Sequence, residues 1–194
     1  MTPAAATATE LVAALDGAVD RAFDRLRGNP AADRVFYTAS TLGDFSVIWS
    51  LLGSLRGLRS DEDADAAIRL LVCLGLESAL VNGLVKSVLP RRRPVWEGDH
   101  PFHLRTPKTA SFPSGHASAG FMAASLLSDG RGRAATAGWF GLAVVVASSR
   151  IHTRSHHASD VLAGAALGLV LGRLAKQAWP LPTAGTEEAT PPGG

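Results

Sequence analysis

Residues 149–160 read Ser149-Arg150-Ile151-His152-Thr153-Arg154-Ser155-His156-His157-Ala158-Ser159-Asp160, between two apolar runs at 139–147 and 161–174. Two arginines, three histidines and an aspartate in so short a stretch are costly there unless they face water, a partner or a substrate. His156 and Asp160 stand four apart, one turn from each other on the same face of a helix. That spacing suits a carboxylate orienting an imidazole. By itself the cluster is a fragment, and the rest of the chain must supply the matching parts.

The apolar flanks set the fold class. Residues 134–148 and 158–175 read as helices rich in Ala, Gly, Leu and Val, small residues that allow close helix contacts in a bilayer. Upstream, residues 35–58 and 66–89 are candidate spans, and 113–127 is a shorter small-residue helix. A bilayer core of about 30 Å needs roughly 20 helical residues. The expected fold is therefore all-α: an integral membrane bundle of about five spans over residues 35–178, with the charged segment 60–65 as a turn. Residues 1–34 form an N-terminal unit. Within it, 7–27 read as an amphipathic, interfacial helix with Thr7 and Glu10 at capping-box spacing and a stop at Gly28-Asn29-Pro30. Residues 179–194 read as a disordered tail.

Composition narrows the function. A chain of 194 residues is long enough for one domain, and a net charge of +2 without a basic tract argues against nucleic acid as a partner. Cys73 is the one cysteine, so no intramolecular disulfide forms. The N-terminus has no basic segment followed by an apolar core, so no cleavable signal is expected.

Five antiparallel helices gather the dense polar motifs at one end of the bundle. These are Lys86 to Arg93, Pro113 to His116, Ser149-Arg150, and His156 with Asp160; the turns at 60–65 and 129–133 fall at the other end. Lys86, Arg93 and Arg150 are cations able to grip a phosphate. Ser114 and Gly115 open a helix whose free N–H groups favour an anion. His156 can attack phosphorus and His116 can protonate a leaving oxygen. Phosphoryl transfer needs little beyond such positioning and charge neutralisation.

The set Lys86-x6-Arg93-Pro94, Pro113-Ser114-Gly115-His116 and Ser149-Arg150-x5-His156-x3-Asp160 resembles the three-part signature of the type 2 phosphatidic acid phosphatase superfamily, complete and in order. The resemblance implies a membrane phosphatase of lipid phosphates, polyprenyl or glycerolipid, working without metal or other cofactor. It assigns His156 as the nucleophile forming a phosphohistidine, Asp160 as its orienting partner and His116 as general acid, then base. Lys86, Arg93, Ser114, Gly115 and Arg150 would hold the phosphate. It also implies a multi-pass cell-membrane protein with an extracytoplasmic site. The Lys and Arg residues divide too evenly between the two ends to set an orientation of their own. Members often have six spans, and many carry an aromatic residue where this chain has His157. The four-residue spacing to Asp160 selects His156 as the nucleophile. Glu77 reads as a buried helix contact, with a functional acid as the alternative, His100, His103 and His152 read as solvated loop residues, and His157 has no assigned role. Two other readings compete: a vanadate-dependent haloperoxidase, which the short 90–112 loop opposes, and a non-catalytic membrane anion-binding protein, which the intact His116, His156 and Asp160 oppose.

Overall fold

The computed structural model describes residues 3–97, 99–105 and 109–181, and every regular element among them is helical. Helix α1 spans Pro3–Asp24, α2 Pro30–Gly43, α3 Val47–Gly57 and α4 Asp61–Ser78. A π-helical stretch, Ala79–Val85, leads into a last turn, α5, at Lys86–Val88. After a long irregular loop come α6 at Gly115–Leu127, α7 at Arg133–His152 and α8 at Ala158–Ala178.

Four stretches are long and apolar enough to cross a membrane: Pro30–Gly57, Asp61–Val88, Arg133–His152 and Ala158–Ala178. The helix expected at 113–127 is real but short. At about 1.5 Å per residue, its run from Gly115 to Leu127 falls well below a bilayer core. It is instead the hub, with Ala117, Ala123 and Ala124 wholly buried and α4, α7 and α8 packed around it. Outward-facing Leu51, Leu55, Ile68, Leu76, Val144, Leu162 and Leu174 give the bundle an apolar exterior, as lipid contact requires.

Glycines let α8 lie directly on α6. A Cβ at Gly164 or Gly168 would meet the carbonyl oxygens of Ser114 and Ser118, and one at Gly172 would lie 2.8 Å from Ser125 Cβ. This close approach fixes where Ser114 and His116 sit relative to His156 and Asp160. Gly168→Ala is expected to destabilise the detergent-solubilised protein by about 1–3 kcal/mol, the cost of overpacking a tight contact, as measured by chemical unfolding.

Three boundaries differ from expectation. Helix α1 begins at Pro3, ahead of Thr7, so the Thr7/Glu10 pair does not start it. Residues 60–65 are not a loop: Ser60 caps α4 by accepting from the Asp63 N–H, and Asp61, Glu62 and Asp63 fill the first turn, where the helix dipole favours acids. The first span is not continuous but broken between α2 and α3 by a turn of 3₁₀ helix at Asp44–Ser46. The tail from residue 182 onward lies outside the described residues.

At the end away from the polar motifs, ion pairs close the bundle. Arg56 pairs with Asp63 at 2.8 Å, Arg131 also reaches Asp63, and buried Arg69 pairs with Asp129 at 2.7 Å while donating to the Trp179 carbonyl. Helix α1 docks on the side through Val19 and Phe23, against Ala117, Ile151 and Val161, while Leu11, Val12 and Leu15 stay exposed.

Candidate active site

The break in the first span, the end of the second span, the start of α6, the end of α7 and the turn before α8 converge on one cavity of about 550 Å³. Lys86, Arg93, Gly115, His116, Arg150 and His156 line it. Ser114 stands behind this lining: it is fully buried, its Oγ caps α6, and its N–H donates to the Asp160 carbonyl at 3.0 Å.

Residues 153–157 form a tight turn between α7 and α8. The N–H groups of Ser155 and His156 both donate to the Arg150 carbonyl, at 2.9 and 3.0 Å, which folds the His156 backbone onto the residue that supplies the arginine. His156 is 3% exposed, with Nε2 3.2 Å from Arg93 Nη1, so imidazole and guanidinium share one small space. Burial, reinforced by Arg150, Arg93 and Lys86, drives its imidazole down from 6.5 to about 3 against the opposing pull of Asp160. At neutral pH it is therefore uncharged, and its Nε2 lone pair faces the Arg93 guanidinium.

On the other side of the ring, His156 Nδ1 lies 3.8 Å from Asp160 Oδ2, with Ser111 between them. Ser111 Oγ donates to Asp160 Oδ2 at 2.6 Å and stands 3.4 Å from His156 Nδ1. Asp160 also accepts from the His157 backbone N–H at 2.9 Å and from Arg91 Nη1 at 2.5 Å. His157 thus has a place, as the cap of α8. Arg91 in turn donates to Asp16 of α1 at 2.8 Å, and Asp16 accepts from the Ser159 backbone N–H at 2.8 Å. The N-terminal helix is tied through one arginine to the carboxylate beside His156.

Arg150 is fully buried in the floor. Its Nη1 donates to Ser40 Oγ, while Nε and Nη2 are buried with no hydrogen-bond partner among the described residues. Unpaired buried guanidinium donors are expensive, and they are what a bound anion would satisfy. Arg93 is anchored by the carbonyls of Ser155, at 2.7 Å, and Thr109, at 3.1 Å.

Several side chains lie where the sequence motifs do not point. Asp44 lines the cavity from the break in the first span, with Oδ1 3.4 Å from His116 Nε2. Ser111, in the loop before Pro113, and Asp16, on α1, both lie outside the three motifs. Glu77 is buried as expected of a helix contact, but it also borders the cavity. His152 is not solvated: α7 runs on past Ser148 and carries it inside, with Nε2 2.7 Å from Asp33 Oδ1 and its ring stacked on Phe36 at 4.6 Å. His100 is half-buried, bonded to Tyr37 Oη at 2.7 Å and stacked on Trp96, whereas His103 is exposed.

Comparison with known proteins follows the same outline. Residues 66–182 match the sequence pattern of the PAP2 superfamily. The fold is similar to that of a transmembrane PAP2-type phosphatidylglycerolphosphate phosphatase from Bacillus subtilis, with 26% identity and a TM-score of 0.68 over 90% of this chain and 89% of that one. It is also similar to LpxE from Aquifex aeolicus, with 27% identity and a TM-score of 0.62 over 82% of this chain and 93% of that one. No curated protein matches the chain in sequence.

Proposed function

The chain belongs to the PAP2 superfamily, and on that premise we propose that it is a multi-pass membrane phosphatase that hydrolyses lipid phosphates through a phosphohistidine on His156, without a metal ion. The observation that carries this reading is one cavity lined by His156, His116 and the cations Lys86, Arg93 and Arg150. The similarity to a transmembrane phosphatidylglycerolphosphate phosphatase supports a lipid substrate.

In this account the neutral Nε2 of His156 attacks phosphorus while the Nδ1–H, facing Ser111 and Asp160, stays on the ring. The N–P bond forms, the bond to the lipid oxygen breaks, and His116 gives that oxygen a proton. Asp160 offsets the charge on the phosphorylated imidazole. Water then attacks phosphorus, His116 takes its proton, and inorganic phosphate leaves with Nε2 restored. Lys86, Arg93, Arg150 and the Gly115 N–H neutralise the equatorial oxygens, the task usually given to a divalent ion in phosphoryl transfer.

An apolar groove of about 400 Å³ between α4 and α8 is lined by Val72, Leu76, Leu80, Met122, Leu171 and Leu174. Glu77 borders both this groove and the catalytic cavity. An acyl or prenyl chain in this groove would contribute affinity by burial while the cations read the phosphate. Phosphate release from a panel of phosphatidic acid, phosphatidylglycerol phosphate and polyprenyl mono- and diphosphates in detergent tests the reading. We expect turnover of at least one lipid, undiminished by EDTA. Release that EDTA stops and a divalent cation restores would overturn the metal-free mechanism.

A further inference from the structure

We infer that Asp44 is a positioning residue for the reaction proposed above, aiming His116 and supporting the proton it carries as the acid for the leaving oxygen. The inference rests on that reading of His116 and adds to it a carboxylate from outside the three motifs.

The first span breaks at Asp44-Phe45-Ser46, although no proline lies within it beyond Pro30 at its first position. Phe45 and Ser46 take φ of 53° and 58°, the left-handed region that residues with a side chain rarely adopt. Such conformations persist where the surroundings over-determine them, and they concentrate at functional sites. Here the break turns the Asp44 carboxylate inward. Among the described residues its buried Oδ1 has no well-formed hydrogen bond; it lies 3.4 Å from His116 Nε2 and 3.9 Å from Arg105 Nη1. Arg105 also covers the Phe45 ring at 4.5 Å, bracing the turn from the loop side.

The chain just before the break completes the seat. The Ser40 carbonyl lies 3.1 Å from His116 Nε2. A Cβ on Gly43 would come within 2.6 Å of His116 Cδ2, so only glycine lets the ring lie this close. With the Ser40 carbonyl and Asp44 both on Nε2, that nitrogen carries a hydrogen, and transfer to the leaving oxygen falls to Nδ1. A charged imidazole here faces Arg150 from α7 and Arg105 from the loop, with Lys86 and Arg93 lining the same cavity. Asp44 and Glu77 are the carboxylates on that lining, and Asp44 is the one within reach of the ring. Burial and Arg150 push the His116 imidazole down to about 4, and Asp44 and the Ser40 carbonyl oppose them; the Asp44 charge thereby supports the proton His116 carries as the acid, and again the proton it later takes from water.

A general acid matters in proportion to how poor the leaving group is. We therefore compare kcat/KM for dioctanoyl phosphatidic acid, which expels an alkoxide, with that for para-nitrophenyl phosphate, which expels a stable phenolate needing no proton. For Asp44→Asn in purified full-length protein we expect about a 10²-fold loss on the lipid and less than about 3-fold on the aryl ester. The retained aryl activity shows that the folded site and its phosphate clamp survive the substitution. An equal loss on both esters, or no loss on either, overturns the role of Asp44. His116→Ala measured alongside separates the two layers. A selective loss there with none in Asp44→Asn removes Asp44 alone, whereas an equal loss in His116→Ala removes the acid it is proposed to serve.

Discussion

His156→Ala is expected to abolish phosphate release, with kcat/KM for a lipid phosphate falling by about 10⁴-fold or more, the scale on which a covalent nucleophile acts. The size follows from how completely the site is built around this ring. The Arg150 carbonyl holds its backbone, Arg93 reaches Nε2, and Ser111 and Asp160 stand at Nδ1. Alanine leaves the cations able to bind phosphate, so KM should change far less than kcat. The pH dependence follows from the lowered pKa. A free imidazole would lose its nucleophilic form as pH fell through 6.5, whereas His156 stays neutral until about 3. Protonation of His156 therefore sets no acid limb in kcat/KM between pH 5 and 7, over which an unperturbed histidine would lose most of its activity. Steady-state phosphate release across that range, in wild type and variant, checks both points.

Arg150→Lys should lower kcat/KM by about 10²–10³-fold, despite conserving the charge. Arg150 spends one nitrogen on Ser40 Oγ and keeps Nε and Nη2 buried and unpaired. A guanidinium offers these two as a planar fork matched to two phosphate oxygens, while a lysine offers a single point charge. Because catalysis of phosphoryl transfer rests on donors aimed at the equatorial oxygens of the transition state, losing one falls mainly on kcat, at about the magnitude seen when one oxyanion donor is removed. Single-turnover kinetics resolve this from a binding defect. A chemical-unfolding midpoint matching wild type would show that the loss is not one of folding, since lysine keeps a cation at the buried position.

The wiring of the bundle was legible in the sequence because hydropathy and turn signals act locally. Apolar runs gave the long helices, and their alternation brought Lys86, Arg93, Gly115, His116, Arg150 and His156 to one cavity. Less legible was whatever depends on packing across the bundle. Asp44 lies outside all three motifs, and only the break at Phe45 and Ser46 turns it toward His116. Ser111 and Asp16 look ordinary in sequence, and both reach Asp160, directly or through Arg91, by contacts distant along the chain. His152 was misread because α7 continues through the polar stretch, and the Asp33 and Phe36 that receive it lie on α2. The acidic run 61–65 could have been recognised as a helix start from Ser60 and the dipole rule, both local.

The central claim, a covalent intermediate on His156, is tested most directly by trapping it. Purified protein is mixed with a lipid phosphate labelled in the phosphoryl group, quenched within a turnover and digested. The account predicts label on the peptide holding His156, stable to alkali and released by acid, and absent from His156→Ala. Label on another residue, or full turnover with no phosphoenzyme at any quench time and undiminished release by His156→Ala, would contradict it.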